Sequence, residues 1–386
     1  MKKSMLTIMF ILMTIFIGFG IIIPIMPELV SPFHLSTMLA LYSAVSFLMS
    51  PLWGALSDRV GRRPVLLTGL AGFAVSFLLF GLADGNLTLM YASRLLGGLF
   101  SGAATACAVA YVADITSNEN RTKGMGLVGM SIGLGFIFGP AIGGLLSVFG
   151  NNVPFFVASG LSAATLIFAA VILKESLSKE KRSIRTQKKA SRWTAFAGPL
   201  KFLYVLSFFV SFTLAGLEAT LQYFEVEKFG ATPKDMGIMF LVSGIVGAAI
   251  QGGVVRRMIK NGSESRVIGM GLVLSAIGFF LLLFSSNLIT ATLYMSVFAA
   301  GNALIRPCVT SLITQKTKVG QGVASGLSSS MDSLGRVAGP MMGMGAFYLN
   351  ISLPFLIGGI LCLGALTLLV KYIASDKQVT AANTAA

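Results

Sequence analysis

Apolar positions gather into twelve runs of about 20 residues, at 5–27, 35–57, 64–83, 87–112, 124–149, 153–173, 200–224, 235–255, 267–286, 288–313, 323–348 and 351–373. At 1.5 Å per helical residue, each is long enough to cross a hydrocarbon layer of about 30 Å. The pattern predicts an all-α membrane protein of twelve transmembrane helices. The first run follows Met1-Lys2-Lys3 and is too long for the apolar core of a signal peptide. It also lacks a clear small-residue cleavage site, so it reads as a retained first helix.

The polar positions divide the runs. One long polar stretch, KESLSKEKRSIRTQKKASR (174–192), separates six runs from six. This gives an N-terminal six-helix bundle over 1–173, a basic linker over 174–199, and a C-terminal six-helix bundle with a short tail over 200–386. Lysine and arginine then set the orientation, because short cytoplasmic loops carry the positive charge. With the N-terminus in the cytoplasm, Lys228 and Lys234 face outward and Arg94, Arg306 and Arg336 fall inside runs. The rest of the 29 basic residues face inward. An even number of spans puts both termini in the cytoplasm.

Composition narrows the function. Hydrophobic residues make up 55% of the chain and charged residues 11%, against roughly a quarter charged in soluble domains. The net charge of +15 is distributed by topology and forms no single basic face, so no nucleic-acid partner is expected. Cys107, Cys308 and Cys362 lie apart in apolar runs with no metal-ligand spacing. The one histidine, His34, sits in an outer loop, and no Ser/His, His/Asp, metal or nucleotide-phosphate motif accompanies it. These absences argue against an enzyme, a metal site or ATP-driven chemistry.

The halves echo one another about 200 residues apart. GFIFGPAIGG (135–144) recurs as GRVAGPMMGM (335–344), and WGALSDRVGRR after span two as a degraded QGGVVRRMIKNG after span eight. Two six-helix halves with internal repeats are the plan of a rocking secondary transporter.

Three motifs permit a comparison. GALSDRVGRRP (Gly54–Pro64), RLLGGLFSG (Arg94–Gly102) and GLGFIFGPAIGG (Gly133–Gly144) resemble the loop, fourth-span and fifth-span signatures of the major facilitator superfamily. The last is characteristic of its drug:proton antiporters. Over essentially the whole chain the sequence is similar to multidrug efflux pumps of Gram-positive bacteria. The resemblance implies proton-coupled export of hydrophobic, often cationic drugs across the bacterial cytoplasmic membrane. It implies a monomer among membrane lipids, driven by the proton gradient and needing no cofactor. The alternative is a facilitator for a sugar or small metabolite. Trp53 and Trp193 lie at the inner boundary rather than mid-membrane, whereas 19 Met and 29 Phe suit an adaptable apolar pocket.

Each motif also has a physical reading. Gly54 would let a neighbouring helix approach, while Asp58, Gly61, Arg59, Arg62 and Arg63 form either a breakable latch or plain inner-leaflet anchoring. Asp114 and Arg121 either extend that network or are ordinary loop charges. Arg94 shares a helical stripe with Gly98, Ser101 and Thr105, which points it away from lipid. By resemblance it serves proton transfer; otherwise it hydrogen-bonds the backbone of span one. Gly135, Gly139, Pro140, Gly143 and Gly144 give span five a bare, bent face for tight packing.

The sharpest candidate is Glu218. Ser211, Ala215, Glu218, Gln222 and Glu225 fall on one helical face, bordered by Phe208, Phe212, Tyr223 and Phe224. A carboxylate at membrane depth costs at least a few kcal/mol, so its presence argues for use. By resemblance, Glu218 couples protons and binds cationic drugs. The related pumps often carry a second acid in span ten before an Arg-Pro pair, but here Asn302 precedes Arg306-Pro307. Asp332 in span eleven is a candidate replacement, yet it stands i,i+4 to Arg336 and is placed to form a structural pair. The acid typical of span one in tetracycline exporters is absent too, with Ile15 nearby.

Overall fold

The computed structural model describes residues 2–116, 121–177, 196, 198–255, 263–317 and 321–385. The basic linker between Leu177 and Phe196, the loop residues Arg256, Arg257, Lys260 and Lys318, and the side chains of Arg121 and Lys123 lie outside what is described. All regular structure among the described residues is helical. The long helices are α1 (Lys2–Ile21), α2 (Pro32–Val60), α3 (Arg62–Gly81), α4 (Leu87–Ile115), α5 (Arg121–Leu146) and α6 (Val153–Ile172). They continue with α7 (Leu200–Phe229), α8 (Pro233–Ala249), α9 (Glu264–Leu282), α10 (Leu288–Lys316), α11 (Gln321–Leu349) and α12 (Leu353–Ala385). A single helical turn follows α1, and α8 runs on into a π-helical turn at Ile250–Val255.

Eleven of these helices are long and apolar enough to cross a membrane among the described residues. The exception is α11. It is 29 residues long, but its Gly-Leu-Ser-Ser-Ser-Met-Asp segment lowers its hydropathy below that of a lipid-facing span. The span expected over 323–348 is therefore present as a helix, packed on α7 along its glycine face.

The chain folds as two compact units. One holds α1–α6 with the start of α8 (Thr232–Leu241), and the other holds α7, the rest of α8, and α9–α12. Both use the same pairing scheme. In the first, α1 packs on α5 and α6, and α3 on α4 and α6. In the second, α7 packs on α11 and α12, and α9 on α10 and α12. Even the caps repeat: Asn86 Oδ1 accepts the Leu89 N–H at 3.2 Å to start α4. Asn287 Oδ1 accepts the Thr290 N–H at 3.0 Å to start α10, which satisfies an otherwise orphaned helix donor.

The tightest seams in both units are made by glycine. Without a hydrophobic drive between helices in lipid, small residues that admit close backbone approach hold the pair together. On α5, a Cβ added at Gly135 would stand 2.5 Å from Phe16 Cβ, and one at Gly139 would stand 2.7 Å from the Ile17 carbonyl oxygen. Gly143 likewise faces Ile21. The echo on α11 does the same against α7: Gly335 faces Phe208, Gly339 faces Phe212, and a Cβ at Gly343 would meet the Gly216 carbonyl at 2.9 Å. Gly144 faces Gly237 of α8 within the first unit.

We predict that Gly139→Val forces α1 and α5 apart and lowers the thermal stability of the purified protein by about 1–3 kcal/mol. Gly133→Ala, where an added Cβ meets no atom within 4 Å, leaves stability unchanged. Equal melting temperatures for the two variants in detergent would remove the glycine seam as a stabilising feature.

Candidate functional site

Three polar clusters stand inside otherwise apolar helices. The first is at the α2–α3 corner. Gly61 links the two helices at φ 113°, a backbone region that side-chain-bearing residues rarely adopt. This sharp corner brings Arg62 back under Asp58. The Arg62 guanidinium is 2% exposed, with Nη2 lying 2.6 Å from Asp58 Oδ1 and Nε 3.0 Å from Asp114 Oδ2. Its Nη1 donates to Ser57 Oγ at 2.5 Å. Arg62 is thus the hub, and Asp58 and Asp114 share it. Arg59 is exposed in the last turn of α2, where a cation complements the helix dipole.

Glu175, just past α6, completes the cluster. Its oxygens accept the Arg62 N–H at 2.8 Å and the Arg63 N–H at 3.2 Å, capping α3 with a carboxylate. The Arg63 guanidinium donates to the Ala170 carbonyl at 2.6 Å, and Ser176 Oγ donates to Asp114 at 3.2 Å. The start of the linker is therefore stitched to the corner. Sequence reading missed Glu175 because it caps a helix more than a hundred residues away in the chain. Within its own unit a Cβ on Gly54 would meet nothing within 4 Å, so no seam inside that unit depends on it.

The second cluster surrounds Arg94, 2% exposed on α4. Its stripe faces protein, since a Cβ on Gly98 would lie 2.6 Å from the Tyr42 carbonyl of α2. The guanidinium sits over three rings, 4.7 Å from the Phe80 centroid, 5.2 Å from Phe77 and 5.8 Å from Tyr42. Desolvated cation–π contacts of this kind contribute up to about 2 kcal/mol. Nη2 lies 3.4 Å from Ser93 Oγ, and no carboxylate pairs with Arg94 among the described residues. The alternative read from sequence, a hydrogen bond to the backbone of α1, gives way to this aromatic cage.

The third cluster lies in the second unit, where the close α7–α11 seam presses the polar stripe of α7 against α10 and α11. Arg306 Nη2 donates to Ser211 Oγ at 2.8 Å, and Ser211 in turn donates to Asp332 Oδ1 at 2.7 Å. A hydroxyl with one proton and two lone pairs can serve both charges at once. Asp332 is held by this cross-helix bridge, which its i,i+4 spacing to Arg336 did not point to. Sequence reading put Ser211 on the right face without finding its role, since the partners come from two other helices.

Glu218 sits one turn to two turns along the same face, 8% exposed. Among the described residues no hydrogen bond or ion pair reaches its carboxyl. The cations whose field it feels are Arg336 and Arg306. Gln222 continues the stripe at 2% exposure. Asn302 points elsewhere: with Ser275, Thr213 and Cys362 it lines a narrow cleft between α7, α9, α10 and α12. With Glu218 and Asp332 ionised and both arginines charged, the cluster is neutral overall; adding one proton to Glu218 makes it a net cation.

The whole chain can be compared with known proteins on this basis. Residues 8–340 match the family model described as Major Facilitator Superfamily. Multidrug resistance protein 2 of Bacillus subtilis (strain 168) is 33% identical over 99% of this chain and 100% of its own. The quinolone resistance protein NorA of Staphylococcus aureus (strain COL) is 27% identical over 96% and 97%. Among solved structures, the human organic anion transporter MFSD10 (TETRAN) superposes with a TM-score of 0.74 at 26% identity, covering 95% of this chain and 99% of that one.

Two substitutions test the clusters as drawn. Ser211→Ala strands Arg306 and Asp332 without their bridge and should lower stability by about 1–3 kcal/mol. Arg62→Ala leaves two acids without their shared cation and should cost about 3–5 kcal/mol. Thermal unfolding of each purified variant reads both. A Ser211→Ala protein as stable as the wild type would show that the bridge carries no energy.

Proposed function

Because the chain belongs to the Major Facilitator Superfamily, a family of membrane transporters and not of enzymes, we propose that it is a proton-coupled exporter of hydrophobic, often cationic drugs. It acts as a monomer in the bacterial cytoplasmic membrane, with both termini in the cytoplasm. The observation that carries this reading is Glu218, a buried carboxyl with no hydrogen-bond partner among the described residues beside two arginines. The names of the similar bacterial proteins support the drug class.

The exchange follows from charge. A protonated Glu218 sits in a low-dielectric site without the desolvation cost of an anion. Once the proton leaves, a cationic drug can take its place as the balancing charge, whereas proton and cation together would add to the field of Arg306 and Arg336. The two ligands therefore exclude one another at a single carboxyl. Aromatic surface from Phe208, Phe212 and Tyr223 suits flat apolar molecules. Alternating exposure of the site to the two sides turns this exclusion into antiport. A one-for-one exchange down one pH unit releases about 1.4 kcal/mol, enough to hold about a tenfold drug gradient. No cofactor is needed.

The outward lock of the cycle is assigned to the α2–α3 corner. Asp58 shares a buried Arg62 with Asp114, so removing its charge alters the corner without removing a span. Asp58→Asn should insert normally and slow transport at least about tenfold.

A second reading, export of organic anions, is favoured by Arg306 and Arg336 beside the site and by the name of the human structural relative. One experiment separates the two. Cells with and without the protein are loaded with ethidium or with a fluorescent organic anion, with and without a protonophore. The proposal predicts exclusion of ethidium that the protonophore abolishes, and indifference to the anion. Protonophore-sensitive exclusion of the anion alone would favour the second reading, and exclusion of ethidium that survives the protonophore would remove proton coupling.

A further inference from the structure

Glu225 lies seven residues beyond Glu218 on α7, two helical turns and about 10 Å along the axis. It has no part in the exchange described above, yet it is completely buried at 0% exposure. Its Oε2 lies 2.8 Å from Ser285 Oγ, and the same hydroxyl lies 2.9 Å from the Leu282 carbonyl oxygen. A serine hydroxyl owns one proton, and a carbonyl oxygen only accepts. If the Ser285 proton points to Leu282, the proton between Ser285 and Glu225 comes from Glu225, which is then the neutral acid. If the Ser285 proton points to Glu225, Oε2 accepts it, and the carboxyl is either ionised or carries its proton on Oε1. The same heavy-atom arrangement thus holds either state, and changing between them needs one proton gained or lost and the rotation of one hydroxyl.

The surroundings suit exchange rather than a fixed ion pair. Oε1 of Glu225 is buried with no hydrogen bond among the described residues, which leaves one oxygen through which a proton can enter or leave. The cation facing it is Lys228 on its own helix, whose Nζ is held at 3.0 Å by the Leu283 carbonyl instead. Glu227 is exposed. The turns at 283–287 and 350–352 contribute no charged side chain, and α12 offers Phe355, tilted against Phe224 with ring centroids 4.2 Å apart. Gln222 stands on the same face between the two acids and is 2% exposed.

We infer that Glu225 is a proton relay, loaded from the face that the lysine and arginine bias assigns to the outside, which supplies Glu218. The inference rests on the proton-coupled reading of Glu218. In the forward step the neutral Glu225 gives its proton from Oε1 to a short chain of waters beside Gln222. The chain passes a proton to the Glu218 carboxylate, and Ser285 turns its hydroxyl to the new Glu225 anion. A proton from the outer aqueous side then restores the acid, so charge and protons balance over the cycle.

The full chain in proteoliposomes, with ethidium as probe and an imposed pH gradient, tests this. Glu225→Gln should reach the wild-type plateau, because the thermodynamic coupling stays at Glu218. Its initial rate should fall about tenfold or more, and the deficit should shrink as the proton-entry side is acidified. Ethidium counterflow, which moves no net proton, should keep its wild-type rate. Unchanged rate and pH profile in Glu225→Gln would overturn the relay, as would an equal slowing of counterflow, which marks a merely structural acid. Should Glu225→Gln fail to fold, Ser285→Ala decides, since it keeps the acid and removes the rotating hydroxyl: slower proton-driven uptake with normal counterflow supports the relay, and wild-type rates overturn it. Glu218→Gln run alongside separates the two ideas. Proton-driven uptake surviving in Glu218→Gln, or absent in the wild type, sinks the coupling reading and the relay with it. Its loss in Glu218→Gln together with wild-type behaviour in Glu225→Gln sinks the relay alone.

Discussion

A bilayer interior offers no water to a polar group, so every ion kept at that depth must be answered by protein. Arg62 is answered by two carboxylates and a serine. Arg306 and Asp332 are answered through one shared hydroxyl. Arg94 has aromatic faces and one long hydrogen bond to Ser93, and Glu218 has no hydrogen bond at all among the described residues. This ranking sorts structure from chemistry. The fully answered ions are fixed, because moving them costs several kcal/mol. The carboxyl left unanswered is the one whose charge can be changed by a proton or a ligand at the lowest structural cost.

Such a site must be held in place by helices that do not drift. The glycine faces of α5 and α11 do this in the same way, each laid against the first helix of its own unit. Close backbone approach along α7 and α11 fixes the register in which Ser211 meets Asp332, and leaves Glu218 along the same face. Backbone contact of this kind has no flexible side chain to yield, so the polar stripe is positioned by the least deformable part of the unit.

Much of this was legible in the chain. The spans, the mid-chain linker and the Gly-Pro echo came from hydropathy and repetition, which are local properties. The stripe from Ser211 to Glu225 came from helical period. What sequence could not supply was partnership across helices. The i,i+4 spacing of Asp332 and Arg336 gave no sign of Ser211 on α7, whose one hydroxyl reaches charges on two other helices. Gly54 matched a motif but meets no neighbour in its own unit, while Glu175, outside every motif, caps α3. Arg94 was placed on a protein-facing stripe correctly, but the rings that surround it come from α2 and α3 and leave no periodic signal. The span over 323–348 was legible despite the polarity of α11, whose glycine face packs on α7.

The central claim is that proton and cationic drug compete for one carboxyl. Proton release on binding measures that competition directly, without membranes or gradients. The purified wild-type protein in weakly buffered detergent solution should release close to one proton per ethidium bound, read by a pH indicator, and Glu218→Gln should bind ethidium more weakly and release none. Undiminished release from Glu218→Gln would contradict the account and move the exchange to another acid.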